Sequence, residues 1–113
     1  MVSPTQVVNG VGSAPPSSIQ EIILDYDPQT GKVTATPEKV DKDSTIYFTS
    51  PRGKVRVVFV SPFDDNTVEM LDSEMRTPTV GGVYHFRCFF TEPGERESEG
   101  HTGGILDVQP NRP

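Results

Sequence analysis

The chain contains one cysteine and two histidines, and their spacing decides what chemistry they could perform together. Cys88 and His85 fall within the run GGVYHFRCFF, and His101 follows after a polar stretch. A thiolate and an imidazole can together bind copper or zinc, or act as a nucleophile and its base. Side chains alternate between the two faces of a strand, so His85 points away from Cys88. Cys88 and His101 are therefore the candidate metal ligands, with a glutamate of residues 92–99 as a third.

A simpler interpretation of these residues involves neither metal nor catalysis. Free cysteines usually act as small apolar core residues, and His101 precedes a glycine-rich turn. A cysteine in the middle of a buried strand also lacks the access and the positive surroundings that make a thiol reactive. The chain has no phosphate-binding glycine loop, HExxH or GxSxG motif. We therefore expect a protein that is not an enzyme and has no cofactor.

The elements that would position these residues are predicted to be strands. Short apolar runs alternate with turn residues, which is typical of an all-β sandwich or barrel. Alternation makes each run half-buried, which favours antiparallel pairing. The runs are residues 19–25, 32–36, 44–50, 55–60, 83–90 and 105–109.

Turn residues predict how these strands are connected. The sequence DPQTG at 27–31 combines a proline that presets φ with a glycine that can take positive φ, and it predicts a hairpin of the first two runs. The sequence SPRG at 50–53 predicts a second hairpin, formed by the third and fourth runs.

The acidic segment after the fourth run leaves two structures open. In residues 66–76, Val68, Leu71 and Met75 have the spacing of one face of a short helix, and an irregular acidic loop is the alternative. Oxygen atoms of this region could bind Ca²⁺, but the glycine and ligand spacing of a calcium loop are missing, which favours a solvated loop. The residues concerned are Asp64, Asp65, Asn66 and Glu69.

Strand alternation also predicts which side chains face outward. The core face consists of Val55, Val57 and Phe59 in the fourth run and of Tyr84, Phe86, Cys88 and Phe90 in the fifth. The side chains of the fourth and fifth runs that point away from the core are predicted to form a small basic patch, with two aromatic residues beside it. The patch would contain Lys54, Arg56, His85 and Arg87, with Phe89 and Tyr47 beside them.

The run GGVYHFRCFF followed by GILDV resembles the closing hairpin of the cupredoxins, the small β-sandwiches that carry blue copper. The passage TPEKVDKDSTIYF at 36–48 resembles the P-x-x-V-x-x-G-D-x-V-x-F passage of the same family. This resemblance spans residues 19–109 and implies an all-β fold, a single antiparallel Greek-key β-sandwich of about seven strands. Asp-Pro at 27–28 and Glu-Pro at 92–93 also resemble a small uncharacterised bacterial family named for such pairs, DP-EP.

The resemblance to cupredoxins implies a ligand set that this chain lacks. In that family two histidines, the cysteine of the Gly-x-Tyr-x-Phe-x-Cys strand and a weak axial methionine hold the copper. Only Cys88 matches, and His101 stands near the position of the axial ligand. Two ligands are too few for a preformed site. The resemblance thus implies the fold without its copper, and the alternative is a degenerate metal-binding or electron-transfer site at Cys88 and His101.

Length and composition indicate one domain without a membrane segment. The chain has 113 residues, of which 1–18 are predicted to be a flexible arm, with a short edge strand at 5–8 as the alternative. Residues 19–109 would form the sandwich and 110–113 a tail. No secretory signal and no run of about 18 apolar residues is present. A single cysteine allows no internal disulfide, which weakly favours a cytoplasmic location.

The net charge of −6 disfavours nucleic acid and anionic membranes as partners. The sequence therefore predicts a binding module that recognises a protein or a small ligand through two long acidic loops, 62–78 and 91–103, and it leaves the oligomeric state open. Polar stretches of such length are often binding segments. The candidate interaction residues are Glu92, Glu95, Arg96, Glu97, Glu99, Arg56, His85 and Arg87.

Overall fold

The computed structural model describes residues 18–63 and 66–110. Over these residues the fold is all-β and consists of two sheets, which confirms the predicted class. The predicted arm, its alternative strand at 5–8 and the predicted tail lie outside the described residues, except for Ser18 and Pro110. The strands are β1 (Ile19–Tyr26), β2 (Val33–Thr36), β3 (Lys39–Asp41), β4 (Thr45–Thr49), β5 (Lys54–Phe63), β6 (Thr67–Leu71), β7 (Gly82–Thr91) and β8 (His101–Gln109).

The smaller sheet has the strand order β2-β1-β4, and the larger has the order β3-β8-β7-β5-β6. Buried side chains from both sheets form one apolar cluster. No helix among the described residues is long and apolar enough to cross a bilayer. The cluster contains Ile22, Leu24, Val33, Val40, Ile46, Phe48, Val55, Val57, Phe59, Phe63, Met70, Phe86, Cys88, Phe90, Leu106 and Val108.

The first predicted hairpin is confirmed, because β1 and β2 pair antiparallel with Tyr26 opposite Val33. Its turn has the chemistry that the sequence indicated. The Asp27 carboxylate accepts a hydrogen bond from the Gln29 N–H at 2.8 Å. Gly31 takes a φ of 73°, in the left-handed region that favours glycine.

The second predicted hairpin is wrong. β4 pairs with β1 in the smaller sheet and β5 pairs with β6 and β7 in the larger, so the turn between them carries the chain across the sandwich. Only an isolated bridge joins Ser50 to Gly53. The apolar faces of the two strands meet in the core, where the rings of Phe48 and Phe59 lie 6.5 Å apart.

The prediction of wholly antiparallel sheets is also wrong. β1 runs parallel to β4, and β3 runs parallel to β8. Half-buried alternation excludes neither arrangement, because both kinds of pair can have one face on the core.

The segment 66–76 is neither the predicted helix nor an unstructured acidic loop over its first half, because β6 pairs antiparallel with β5. The side chain that β6 buries is Met70, whereas Val68, Leu71 and Met75 are each more than half exposed. A helix as short as residues 66–76 is only marginally stable on its own, and the edge of β5 offers this segment hydrogen-bonding partners. Asp64 and Asp65, candidate calcium ligands, lie outside the described residues.

Candidate functional site

Cys88 lies in β7 opposite His101 of β8, and its side chain faces the core as predicted. The residue has no exposed surface. Burial raises the pKa of the thiol from 9.0 to about 12, and a hydrogen bond with the backbone of Arg56 offsets only part of that rise. At neutral pH the sulfur is therefore a protonated thiol, which is a poor nucleophile and a poor metal ligand.

His101 begins β8 and connects the two sheets at one end of the sandwich. Its ring stacks on Tyr26 of β1, with 4.0 Å between centroids and 14° between planes. The ring also meets Phe90 edge-on at 5.5 Å. Nδ1 lies 2.9 Å from the carbonyl oxygen of Gly31. A carbonyl oxygen can only accept, so Nδ1 carries the proton of this hydrogen bond, and the lone pair of the neutral ring is on Nε2.

A salt bridge that the sequence analysis missed extends this stack. The Arg52 guanidinium lies over the Tyr26 ring, with 3.9 Å from Cζ to the centroid, and it forms an ion pair with Asp25. Burial alone would raise the pKa of Asp25, but hydrogen bonds from Arg52 and from the Tyr26 N–H outweigh it and lower that pKa. The sequence indicates that these residues lie near the ends of strands. It does not indicate that they come into contact, since Arg52 is 26 positions from Tyr26.

The candidate metal ligands do not form the arrangement that copper or zinc requires. Among residues 18–63 and 66–110, no three His, Cys, Asp or Glu side chains come together as a metal-binding group. Cys88 and His101 are neighbours across β7 and β8, but the thiol is in the core and the imidazole is packed against Tyr26. The donor set present does not fit a trigonal two-histidine, one-cysteine centre.

The polar interruption between the last two strands is shorter than predicted. The sequence indicated a loop at 91–103, but β7 continues to Thr91 and β8 begins at His101, which leaves residues 92–100. This loop is held against the strand before it. The Ser98 N–H donates to the Phe90 carbonyl at 2.8 Å, and the Phe90 N–H donates to the Ser98 hydroxyl oxygen at 3.0 Å. The second acidic loop, 62–78, is also shorter, since it contains the end of β5 and all of β6.

Arg56 of β5 fastens the loop to the outer face of the larger sheet. Its Nε and Nη2 donate to the two oxygens of Glu97 at 3.0 and 2.9 Å, and Nη1 donates to Glu69 of β6 at 2.9 Å. The guanidinium lies 4.2 Å from the ring centroid of Phe89. The hydrogen bonds that Arg56 donates to Glu97 and then to Glu69 raise the pKa of Arg56. The hydrogen bond from Arg56 lowers the pKa of Glu97.

The other charged residues of the loop have no such attachment. Glu95, Arg96 and Glu99 are exposed, and Glu92 is half-buried. Within the described part of the chain, none of the four forms an ion pair at contact distance.

The predicted basic patch is only partly a surface. Arg56 is neutralised by two carboxylates, and Tyr47 lies in β4 of the smaller sheet opposite Glu21, so it cannot share a surface with Phe89. Outward-facing residues of two strands share a surface only if both strands belong to the same sheet. The sequence does not show that β4 and β5 lie in different sheets, which is why it misplaced Tyr47.

Arg87 and His85 remain exposed on the outer face of β7. Arg87 borders an open groove of about 260 Å³ that is also lined by Val58, Phe59 and Val60 of β5. Arg52, Arg56 and Arg76 each form an ion pair, whereas Arg87 forms none with any residue of 18–63 or 66–110. An unpaired guanidinium beside apolar side chains can bind a carboxylate that is attached to an apolar group.

No protein-family model matches this chain, and no curated protein is significantly similar to it. The likeness to cupredoxins and to the DP-EP family therefore stays a prediction.

Proposed function

We propose that this protein is a non-enzymatic binding module that recognises an acidic, partly apolar segment of a partner protein. The binding surface is the outer face of β5 and β7, bordered by the loop 92–100. The observation that carries the proposal is Arg87, which is exposed beside a groove bordered by Val58 and Val60 and has no ion-pair partner among the described residues.

Local charge supports this assignment, because the Arg87 guanidinium has no carboxylate partner among the described residues. The net charge of −6 opposes an acidic ligand at long range, so the ligand must carry few acidic groups and gain its affinity at the groove itself. Apolar surface accompanies Arg87, because Val60 is 70% exposed and Val83 is 57% exposed on the same sheet. Interfaces typically combine arginine with apolar side chains in this way.

Binding is favoured over catalysis by the state of the reactive groups. The Cys88 thiol is buried and has a pKa of about 12, and the Nδ1 atom of His101 is engaged with Gly31. Neither residue presents a nucleophile next to a base, which covalent catalysis would require. Metal binding or electron transfer at Cys88 and His101 is not adopted, because no third donor joins them among residues 18–63 and 66–110.

We also propose that the two sheets have the Greek-key connections of a cupredoxin. Support comes from the buried Cys88 on the core face of β7 and from the pairing of β7 with β8 as the closing hairpin. Superposition of an experimental structure on a cupredoxin tests this, and a different order of strand connections would overturn it.

The binding proposal is tested with a synthetic peptide in which two glutamates, two positions apart, alternate with valines. In ¹⁵N-labelled protein we expect its addition to shift the amide resonances of Val58, Val60, His85 and Arg87. We expect Arg87→Gln to weaken binding about three- to fivefold, the effect of one partly exposed ion pair.

The control is Lys39→Gln, which removes a positive charge from an exposed residue of β3, a strand that does not border the groove, and should leave the affinity unchanged. A second control replaces both glutamates of the peptide with glutamine and should bind more weakly. Equal affinity of the wild type and Arg87→Gln for the acidic peptide would contradict the proposal.

A further inference from the structure

We infer that Arg56 is a second carboxylate-binding subsite on the same face, and that Glu97 occupies it as an internal substitute for the ligand. This inference rests on the proposed function. It specifies the ligand as an extended peptide segment with acidic residues at positions i and i+2, one for Arg87 and one for Arg56.

The contacts at Arg56 have the geometry of carboxylate recognition. Glu97 approaches the guanidinium with both oxygens, at 3.0 Å from Nε and 2.9 Å from Nη2. Two parallel hydrogen bonds of this kind are the standard way in which arginine binds a carboxylate. Glu69 is a different kind of partner, because it belongs to the neighbouring strand β6, opposite Val58 of β5, and binds through Nη1 alone.

Glu97 reaches Arg56 from a loop and not from a strand of the sheet. The two residues are 41 positions apart, and Glu97 lies within the connection between β7 and β8. Gly100 of the loop lies directly against the ring of Phe89, so closely that an added Cβ would be 2.9 Å from a ring carbon. The loop therefore covers this ring. Outward displacement of residues 97–100 would therefore uncover both the guanidinium and the aromatic ring beneath it.

The register places the two subsites at a spacing that suits an extended peptide. Arg56 is opposite Phe89 and Val58 is opposite Arg87, so Arg56 and Arg87 are diagonal neighbours on one face. Diagonal neighbours in an antiparallel pair lie about 7–8 Å apart. Side chains at i and i+2 of an extended chain point the same way and are separated by about 6.5–7 Å.

Competition by Glu97 predicts how affinity depends on the second carboxylate. In the wild type a ligand must displace Glu97, so the second carboxylate exchanges one ion pair for another and contributes little. Without the Glu97 charge, Arg56 is open to the ligand, and the second carboxylate contributes a new ion pair. Glu97 thus lowers affinity for peptides with two acidic residues and has little effect on peptides with one.

The experiment compares the two-glutamate peptide with the two peptides in which one glutamate is glutamine, on the wild type and on Glu97→Gln. Titration calorimetry or NMR gives the affinities. We expect the second glutamate to improve binding at most about twofold in the wild type and about fivefold in Glu97→Gln. The matched control is Glu95→Gln, which removes the same charge from the same loop and should behave as the wild type.

The outcomes separate this inference from the proposed function. If a peptide with one glutamate binds the wild type and loses affinity in Arg87→Gln, while the second glutamate has equal effects in the wild type and Glu97→Gln, the Arg56 subsite is wrong and the binding face stands. If no peptide binds any of the proteins, both are wrong. If the second glutamate improves binding equally in Glu95→Gln and Glu97→Gln, the effect is due to net charge alone and the Arg56 subsite is wrong.

Discussion

The thiol of Cys88 lies between the two sheets with no exposed surface, next to core residues of both. An apolar environment disfavours the thiolate, which is why burial raises the pKa of this thiol to about 12. At the scale of single residues, the environment of Cys88 therefore decides between a reactive and an inert sulfur.

We expect Cys88 in the native protein to resist alkylation by iodoacetamide at pH 8. The thiolate is the reacting species, so the raised pKa and the burial should slow the reaction at least about a hundredfold relative to the urea-unfolded chain. Mass spectrometry of timed samples measures both rates. Fast modification of the folded protein would show that the thiol is accessible and would reopen metal and redox chemistry.

The same pKa predicts how stability depends on pH. The thiol of the folded state keeps its proton up to about pH 12, whereas the unfolded thiol loses it near 9.0. The stabilisation is complete below pH 9 and is lost as the pH rises from 9 to 12, by about 1.4 kcal/mol per pH unit. In urea titrations at pH 8, 9 and 10, the stability of the wild type should fall more steeply than that of Cys88→Ala, and parallel curves would contradict the assignment.

At the scale of strands, β7 and β8 fit together through a glycine. Phe86 of β7 is opposite Gly104 of β8, and a Cβ added to Gly104 would lie 2.3 Å from a ring carbon of Phe86. The ring therefore covers the glycine, and it also packs 5.6 Å from Phe48 of the other sheet. Glycine at this position is required by close packing.

We expect Gly104→Ala to destabilise the protein by about 1–3 kcal/mol, the usual cost of overpacking a core. Phe86→Leu removes the ring edge that clashes, so Gly104→Ala should cost less in that background. Thr102→Ala, an exposed substitution in the same strand, serves as the control for changes to β8. Urea unfolding gives the stabilities of the wild type, the two single core variants, the double variant and the control, and strictly additive effects of the two core substitutions would contradict this account.

The strands also show how far local patterns determine an element. Alternation correctly predicted the core faces of β5 and β7, because side chains point to opposite faces in any strand. Helical spacing failed at β6, since the three residues that it selected are exposed and Met70 is buried. That segment takes its conformation from the hydrogen-bonding edge of β5, which no window of the sequence around β6 contains.

At the scale of the whole molecule, the two sheets are joined at one end by aromatic rings. His101 of β8 stacks on Tyr26 of β1 and donates through Nδ1 to Gly31 in the turn after β1. Phe90 of β7 packs against both rings, at 4.9 Å from Tyr26 and 5.5 Å from His101. These contacts connect strands of different sheets and should stabilise their relative position.

We expect His101→Ala to lower the free energy of unfolding by about 1–2 kcal/mol, since it removes one hydrogen bond and one stacked ring. His101→Phe keeps a ring and removes the hydrogen bond, so it should cost less. His85→Ala, on the exposed face of β7, is the control and should change stability little. An effect of His101→Ala no larger than that of His85→Ala in thermal and urea unfolding would show that the stack does not contribute.

The sequence by itself determined the all-β class, the first hairpin and the side chains of β5 and β7 that enter the core. These depend on alternation and on turn residues, which act over a few neighbouring positions. Only the tertiary structure decided that β4 and β5 belong to different sheets, that Glu97 binds Arg56 from 41 positions away, and that Arg87 has no ion-pair partner among the described residues. Those facts depend on contacts between segments that are far apart in the sequence, and local propensity carries no information about such contacts.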